Sequence, residues 1–264
     1  MWIDTHCHLD AAEFGEESLD VAARAGADAV ERIVIPAVEV ANFATVARLA
    51  KDAANGAYAL GIHPIFVPHA TEADLATLRA AVAAAMDDPR FVAIGEIGLD
   101  FFIPLLCEPA MREKQEFFFR EQLRIARDFQ LPALMHVRRS QDVVLKHVRQ
   151  VRPAGGIAHA FNGSFQQAQT YIDLGFKLGF GGAMTFTRAL QIRRLATDLP
   201  LSAIVLETDA PDISPAWVHP GRNSPEQLPR IGAALAELRG MPVGDIAAAT
   251  TANAHAAMPR LSLI

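Results

Sequence analysis

Eight short apolar runs, each followed by a longer segment of helical periodicity, set the limits on how this sequence can fold. The runs cover residues 2–5, 31–35, 58–61, 91–95, 132–135, 156–158, 177–180 and 203–206. Helices are predicted between them over 17–25, 40–54, 72–86, 111–129, 142–149, 165–174 and 189–197, and two more after the last run over 225–238 and 243–257. In the longest, Phe117, Phe118, Leu123, Ile125, Ala126 and Phe129 make an apolar stripe that reads as core packing. Pro242 stands just before the final helix, where proline is tolerated. Strict strand–helix alternation gives a parallel sheet covered by helices, and eight such units in about 250 residues is the usual size of a (β/α)8 barrel. With 264 residues, 51% of them hydrophobic, the chain can bury one large core. The expectation is an α/β protein: a single TIM-like barrel domain over 1–264 with additional C-terminal helices.

Polar residues with metal-ligating chemistry recur where these runs end. His6 and His8 flank Cys7 at the end of the first; in an extended segment side chains at i and i+2 share a face, so two imidazoles can point at one ion while Cys7 faces away. Further candidates follow the fourth, fifth, sixth and eighth runs: Glu96 in Gly95-Glu96-Ile97-Gly98-Leu99-Asp100, His136, His159, and Asp209 in Leu206-Glu207-Thr208-Asp209. Groups at the carboxyl ends of barrel strands converge on one mouth. A doubly wound open sheet would instead spread them along a line.

Composition removes several function classes. A net charge of −6 argues against a broad basic surface for long nucleic acid, although not against a local pocket for one strand end. No apolar stretch reaches transmembrane length, and Met1-Trp2-Ile3-Asp4 lacks the layout of a signal peptide, so a soluble cytoplasmic protein without membrane partners is expected. Two cysteines, Cys7 and Cys107, are too few for a disulfide framework and are expected to be buried thiols. There is no Gly-x-Ser-x-Gly elbow and no phosphate-cradling glycine loop.

Six segments taken together, His6-Cys7-His8, Gly61-Ile62-His63-Pro64, Gly95 to Asp100, His136-Val137-Arg138, His159-Ala160-Phe161-Asn162-Gly163 and Glu207-Thr208-Asp209-Ala210-Pro211, resemble the TatD family of metal-dependent hydrolases among the amidohydrolase-like barrels. Arg222-Asn223-Ser224-Pro225 and Thr250-Thr251-Ala252-Asn253 extend the likeness to nearly the whole chain. The resemblance implies two divalent ions and phosphodiester hydrolysis of the deoxyribonuclease type, as in a 3'-5' exodeoxyribonuclease acting on single-stranded DNA ends. It also implies that His6 and His8 hold one ion with Glu96 and Asp209, while His136, His159 and the other oxygen of Glu96 hold the second. A carboxylate suits the bridge because its two oxygens can reach ions about 3.5–4 Å apart. Asp209 is positioned to accept a proton from the attacking water, though the same residue suits a helix N-cap ahead of Pro211. Mixed imidazole and carboxylate donors favour zinc or manganese, and the family includes magnesium-dependent members. Gly95 and Gly98 would let the backbone approach the ions; a plain turn explains them equally well.

Substrate contacts are expected from His63, which suits either a phosphate oxygen or bracing of a ligand, and from Asn162 beside Gly163. Arg138 and Arg139 can pair with phosphate, one of them pointing outward, and Arg222 suits phosphate or a surface ion pair. His69, His147, His219 and His255 read as surface or core histidines. Where relatives often carry paired tyrosines after Gly-Leu-Asp, this chain has Phe101 and Phe102, which suit either burial or stacking on a base. Ala160-Phe161-Asn162-Gly163 and Ile65-Phe66-Val67 also depart from the family pattern. The alternative function keeps the metal centre and changes the bond: a metal-dependent ester or amide hydrolase, such as a D-aminoacyl-tRNA deacylase. A non-catalytic barrel serving as a binding scaffold is a third class, and the full ligand set argues against it.

Overall fold

The computed structural model describes residues 1–264. Eight parallel strands follow one another in chain order: β1 (Trp2–Asp4), β2 (Val30–Pro36), β3 (Gly56–Leu60), β4 (Phe91–Asp100), β5 (Ala133–Arg138), β6 (Gly156–Ala158), β7 (Phe176–Phe180) and β8 (Ile204–Leu206). Beyond their last residues β8 and β1 meet. The Thr5 N–H donates to the Leu206 carbonyl at 3.1 Å and the Asp209 N–H to the His6 carbonyl at 2.9 Å, which curls the sheet back on itself as a barrel. Outside it lie α1 (Ser18–Ala27), α2 (Phe43–Asp52), α3 (Glu72–Ala85), α4 (Pro109–Asp128), α5 (Gln141–Val151), α6 (Phe165–Asp173), α7 (Leu190–Asp198), α8 (Leu228–Arg239) and α9 (Val243–Ala257).

Local chemistry sets the boundaries. A capping box of Thr71 with Asp74 starts α3, and one of Ser164 with Gln167 starts α6, each satisfying free N–H groups of the first turn. Gly240, at φ +60°, ends α8 in the left-handed conformation that glycine adopts at low cost. The largest departure from the expected boundaries is β4, which runs five residues past Gly95. The Gly-Glu-Ile-Gly-Leu-Asp stretch reads as a turn, yet Ile97 to Asp100 pair with Met135 to Arg138 of β5. Its glycines serve that pairing rather than an approach to ions. Gly98 sits at φ +156°, and a Cβ there would overlap the His136 carbonyl; a Cβ on Gly95 would come 2.5 Å from the Leu134 side chain.

Side-chain alternation divides the core in two. Ile33 and Ile35, Ala133 and Met135, and Ile204 and Leu206 face the helices. Val34, Leu134, Ile157 and Val205 point into the barrel, where Ala254, Ala257, Met258 and Leu261 from the C-terminal segment join them. Burying each such aliphatic side chain stabilises the fold by about 1.5–3 kcal/mol. The Asn253 amide donates to the Leu201 and Ile204 carbonyls, and the Arg260 guanidinium to the carbonyls of Met86, Asp88 and Phe91, which fastens the chain end under the barrel. With that end filled, the opposite mouth is left for chemistry. No helix is long and apolar enough to cross a membrane. Cys7 is fully buried, whereas Cys107, expected to be buried, is only partly so, because it lies at the end of the short turn Pro104–Cys107 on the outside of the barrel.

Candidate metal centre

The strand period itself aims the site. Leu134 points into the barrel, so His136 does; Ile157 is followed by His159 in the same way, and Val205 by Glu207. On β4 an extra residue interrupts the pairing between Ile94 and Ile97, a bulge that re-aims Glu96 while its N–H donates to the Ala37 carbonyl at 2.9 Å. The segments after β1 and β8 are joined by the Asp209-to-His6 bond and by the His8 N–H donating to Ala210 O at 2.8 Å, which sets Asp209 beside His6 and His8. Arg139, Ala160 and Asp209 all have left-handed backbones, at φ +55°, +45° and +55°. A left-handed backbone is uncommon in non-glycine residues, and these three stand at the ends of β5, β6 and β8.

Glu96, buried, is the centre of the arrangement. Its Oε2 lies 3.1 Å from His6 Nε2 and 3.3 Å from His8 Nε2. Its Oε1 lies 3.0 Å from His136 Nδ1, 3.1 Å from His159 Nε2 and 3.4 Å from His63 Nε2. Asp209 Oδ1 stands 3.6 Å from His6 Nε2 and 3.8 Å from His8 Nε2. The His6 and His159 rings stack, with centroids 4.0 Å apart. Hydrogen bonds alone do not satisfy such a cluster, since only one proton fits between His6 Nε2 and His8 Nε2, themselves 3.3 Å apart. A divalent cation does. Tetrahedral ligands at about 2.0–2.1 Å are separated by about 3.3–3.4 Å, close to the spacings found here. Three sets of donor atoms are compact enough to hold an ion: His6, His8 and Asp209; His6, Glu96 and His159; His63, Glu96 and His136.

Burial and charge pull the pKa values apart. Burial is the largest influence on His6, pushed down to about 3, and on His63, pushed down to about 4. Burial also opposes charge on His8, but hydrogen bonding to Glu96 and the nearby Asp209 and Asp10 outweigh it and raise His8 to about 9. The carboxylates around His136 and His159 raise them too, against the same burial. Burial would raise Glu96, but the surrounding histidines hold it well below the usual carboxylate range. Asp209 is raised to about 6, chiefly by burial.

The expected residues divide as follows. His6, His8, Glu96, His136, His159 and Asp209 come together, and His63 joins them at Glu96 Oε1. Arg138, Arg139 and Asn162 line a cavity of about 690 Å³ that opens outward from His136, His159 and Asp209. Arg139 was expected to diverge from Arg138; instead its left-handed backbone breaks the strand alternation, and both guanidiniums lie over the Phe102 ring, with Cζ 4.6 and 3.8 Å from its centroid. Arg222 is not at the cavity. Its guanidinium donates to the Glu13 carbonyl at 2.6 Å and pairs with Glu17 at 3.3 Å over the Phe14 ring, the surface ion-pair alternative. Phe101 is buried beneath Arg112, so base stacking is closed to it. His147 is a core histidine paired with Glu116 at 2.8 Å, and His69 and His219 are exposed.

Four residues escaped the sequence reading. Asp100 Oδ2 lies 3.2 Å from His136 Nε2, on the far side of that ring from Glu96. Glu207 Oε1 accepts from the Ala160 N–H and stands 3.6 Å from His159 Nδ1. Asn223, fully buried, donates to the Thr208 and Asp212 carbonyls at 2.8 and 2.9 Å and holds the Asp209 loop in shape. Asp4 accepts from the Thr208 N–H and hydroxyl at 2.9 and 2.6 Å beneath the ring of ligands. Asp100 orients the His136 ring the way acids commonly orient metal-binding imidazoles, whereas Glu207 flanks His159 Nδ1 without a hydrogen bond to it. Period-2 alternation from Val205 would have found Glu207; Asn223 stands in a segment that shares the family likeness, but its chemistry alone does not indicate what it holds.

The sequence profile of the family described as TatD related DNase matches residues 3–258. An Escherichia coli K12 protein named as the uncharacterized metal-dependent hydrolase YjjV is 39% identical over 258 residues, covering 96% of each chain. Its crystal structure superposes with a TM-score of 0.91 at 37% identity over 98% of each chain. A Salmonella typhimurium protein named as the 3'-5' ssDNA/RNA exonuclease TatD is 32% identical over 260 residues, again covering 96% of each. Matched along nearly its full length, and with histidines and acids gathered at the barrel mouth, the chain belongs to the TatD family of metal-dependent hydrolases.

Proposed function

We propose that this protein hydrolyses phosphodiester bonds at the ends of single-stranded DNA, in the manner of a 3'-5' exodeoxyribonuclease, with residues 1–264 acting as one catalytic unit. The observation that carries the reading is the division of Glu96: one oxygen faces His6 and His8, the other faces His136, His159 and His63. That division suits two cations: His6, His8, Asp209 and Glu96 would hold one, and His136, His159 and Glu96, with His63 alongside, would hold the other. Zinc or manganese fits this nitrogen-rich set. When bound, such ions acidify water and stabilise the charge that builds on a phosphate in transfer.

The chain's own groups do the rest. Asp209, beside His6 and His8, is the carboxylate placed to accept the proton of the attacking water. Asp100 keeps the His136 ring in orientation, and the Glu207 carboxylate places negative charge beside His159. Arg138 and Arg139 hold anionic substrate in the cavity that leads to the ligands. The relative named as a single-strand exonuclease supports the choice of bond and substrate. The test is incubation of metal-reconstituted protein with end-labelled single-stranded DNA and, in parallel, with an aminoacyl ester. Stepwise shortening of the DNA is expected; cleavage of the ester alone would replace this reading with a deacylase.

A further inference from the structure

We propose that Phe102, Arg138, Arg139 and the start of α5 form a second phosphate-binding subsite beside the metal centre, which engages a phosphate of the substrate other than the one being cut. The inference rests on the phosphodiester reading above and goes further by assigning a second phosphate contact to named residues, which favours an end bearing its own phosphate over an isolated diester.

Three observations converge on one wall of the cavity. Phe102 is 43% exposed, unusual for a large apolar side chain that could have turned inward, and its ring carries the guanidiniums of both Arg138 and Arg139. Covered in this way, the ring supports the two cations and is no bare platform for a base. Arg138 has an acidic neighbour, Asp100, at 3.8 Å; Arg139 pairs with none and is held toward the cavity by its left-handed backbone. Ser140, at the cap position of α5, donates its hydroxyl to the Leu99 carbonyl at 2.7 Å and does not cap, so the first N–H groups of an 11-residue helix are left for another partner. The acid in that first turn, Asp142, is occupied by Gln167 at 2.8 Å. Two guanidiniums beside a free helix N-terminus favour a phosphate. Through Asp100, 3.2 Å from His136, this subsite adjoins the ligand ring, so one nucleotide chain can occupy both.

The experiment compares metal-loaded wild type with Arg139→Ala, Arg139→Lys and Phe102→Leu on dithymidine monophosphate, on the same dinucleotide carrying a terminal 5' or 3' phosphate, and on bis(p-nitrophenyl) phosphate. The wild type is expected to show a KM at least tenfold lower for one of the phosphorylated dinucleotides than for the unphosphorylated one. Arg139→Ala should erase most of that preference through KM rather than kcat, and Arg139→Lys should restore part of it. Equal KM values for all three dinucleotides in the wild type would overturn the subsite, as would preference retained in Arg139→Ala. Binding of inorganic phosphate without any dinucleotide preference would also count against it. Hydrolysis of the aryl diester tests the phosphodiester reading by itself. If that activity is absent, binding of a fluorescent single strand across a salt series decides the subsite. Its log–log slope should fall by about 0.7 for each arginine removed, and an unchanged slope would refute it.

Discussion

His6 Nε2 and His8 Nε2 lie 3.3 Å apart, both against the same oxygen of Glu96. The contact leaves no room for a proton on each nitrogen, yet His8 is raised to about 9 by Glu96, Asp209 and Asp10 acting against burial. A cation entering here must displace the His8 proton. Below about pH 9 that displacement costs affinity, so binding should strengthen by up to about tenfold per pH unit per displaced proton between pH 6 and 9. Calorimetric titration of stripped protein with zinc, in buffers of different ionisation enthalpy, counts the released protons. Release of none across that range would contradict the assignment.

Glu96 touches both halves of the cluster and Asp209 only one. Glu96→Ala is therefore expected to weaken binding of both cations, and Asp209→Ala of one. Both should lower turnover by about 10²–10⁴-fold or more, the usual range for loss of a positioned proton acceptor. The fold should survive, because neither side chain belongs to the packed interior around Leu134, Ile157 and Val205. Elemental analysis, circular dichroism and cleavage of labelled single strands on the same samples check all three. Full activity in Asp209→Ala would remove its role as base.

The barrel was legible because its signals are periodic: apolar runs with helices between them follow from backbone geometry, and all eight strands form where such runs stand. The candidate ligands at the ends of β1, β5, β6 and β8 were legible because each closely follows an apolar run. What the sequence hid depends on departures from period. The bulge at Glu96 extends β4 where glycines suggest a turn, and the left-handed turn at Arg139 brings together two arginines that alternation would separate. Asn223 and Arg222 illustrate the other limit. They are adjacent, yet loop geometry turns one to the buried Thr208 carbonyl and the other to Glu13 and Glu17, a choice that side-chain chemistry alone does not encode.

Asp4 supplies a test of stability against pH. Burial raises it from 3.8 to about 7, against the hydrogen bonds from Thr208. Its neutral form is thus favoured on folding, and the contribution present below about pH 4 is lost as pH rises through about 7. Asp4→Asn keeps a neutral amide that can accept from the Thr208 N–H and donate to its hydroxyl. The stripped variant should match wild type near pH 4 and exceed it at pH 8, by at most roughly 4 kcal/mol for a shift of this size. Urea midpoints at the two pH values measure the gap. A gap that narrows with rising pH would show that Asp4 is stabilised as the anion.

Gly179 on β7 faces the Glu207 carboxylate so closely that a Cβ would overlap it, with both oxygens and the carboxyl carbon inside contact distance. Gly179→Ala must push Glu207 away from the Ala160 N–H and from His159 Nδ1. The carboxylate beside His159 is then displaced, and loss of such an outer neighbour typically weakens metal affinity by about 10–100-fold. Leu134→Ala, a cavity-forming change deeper in the same barrel, should instead cost about 2–5 kcal/mol of stability with the ligand ring intact. The two variants are therefore expected to separate: one retains near-normal unfolding of the stripped protein but loses affinity for the cation on His136 and His159, the other the reverse. Equal loss of metal from both would mean that the site depends on general packing, and the Glu207 carboxylate would contribute nothing of its own to metal binding.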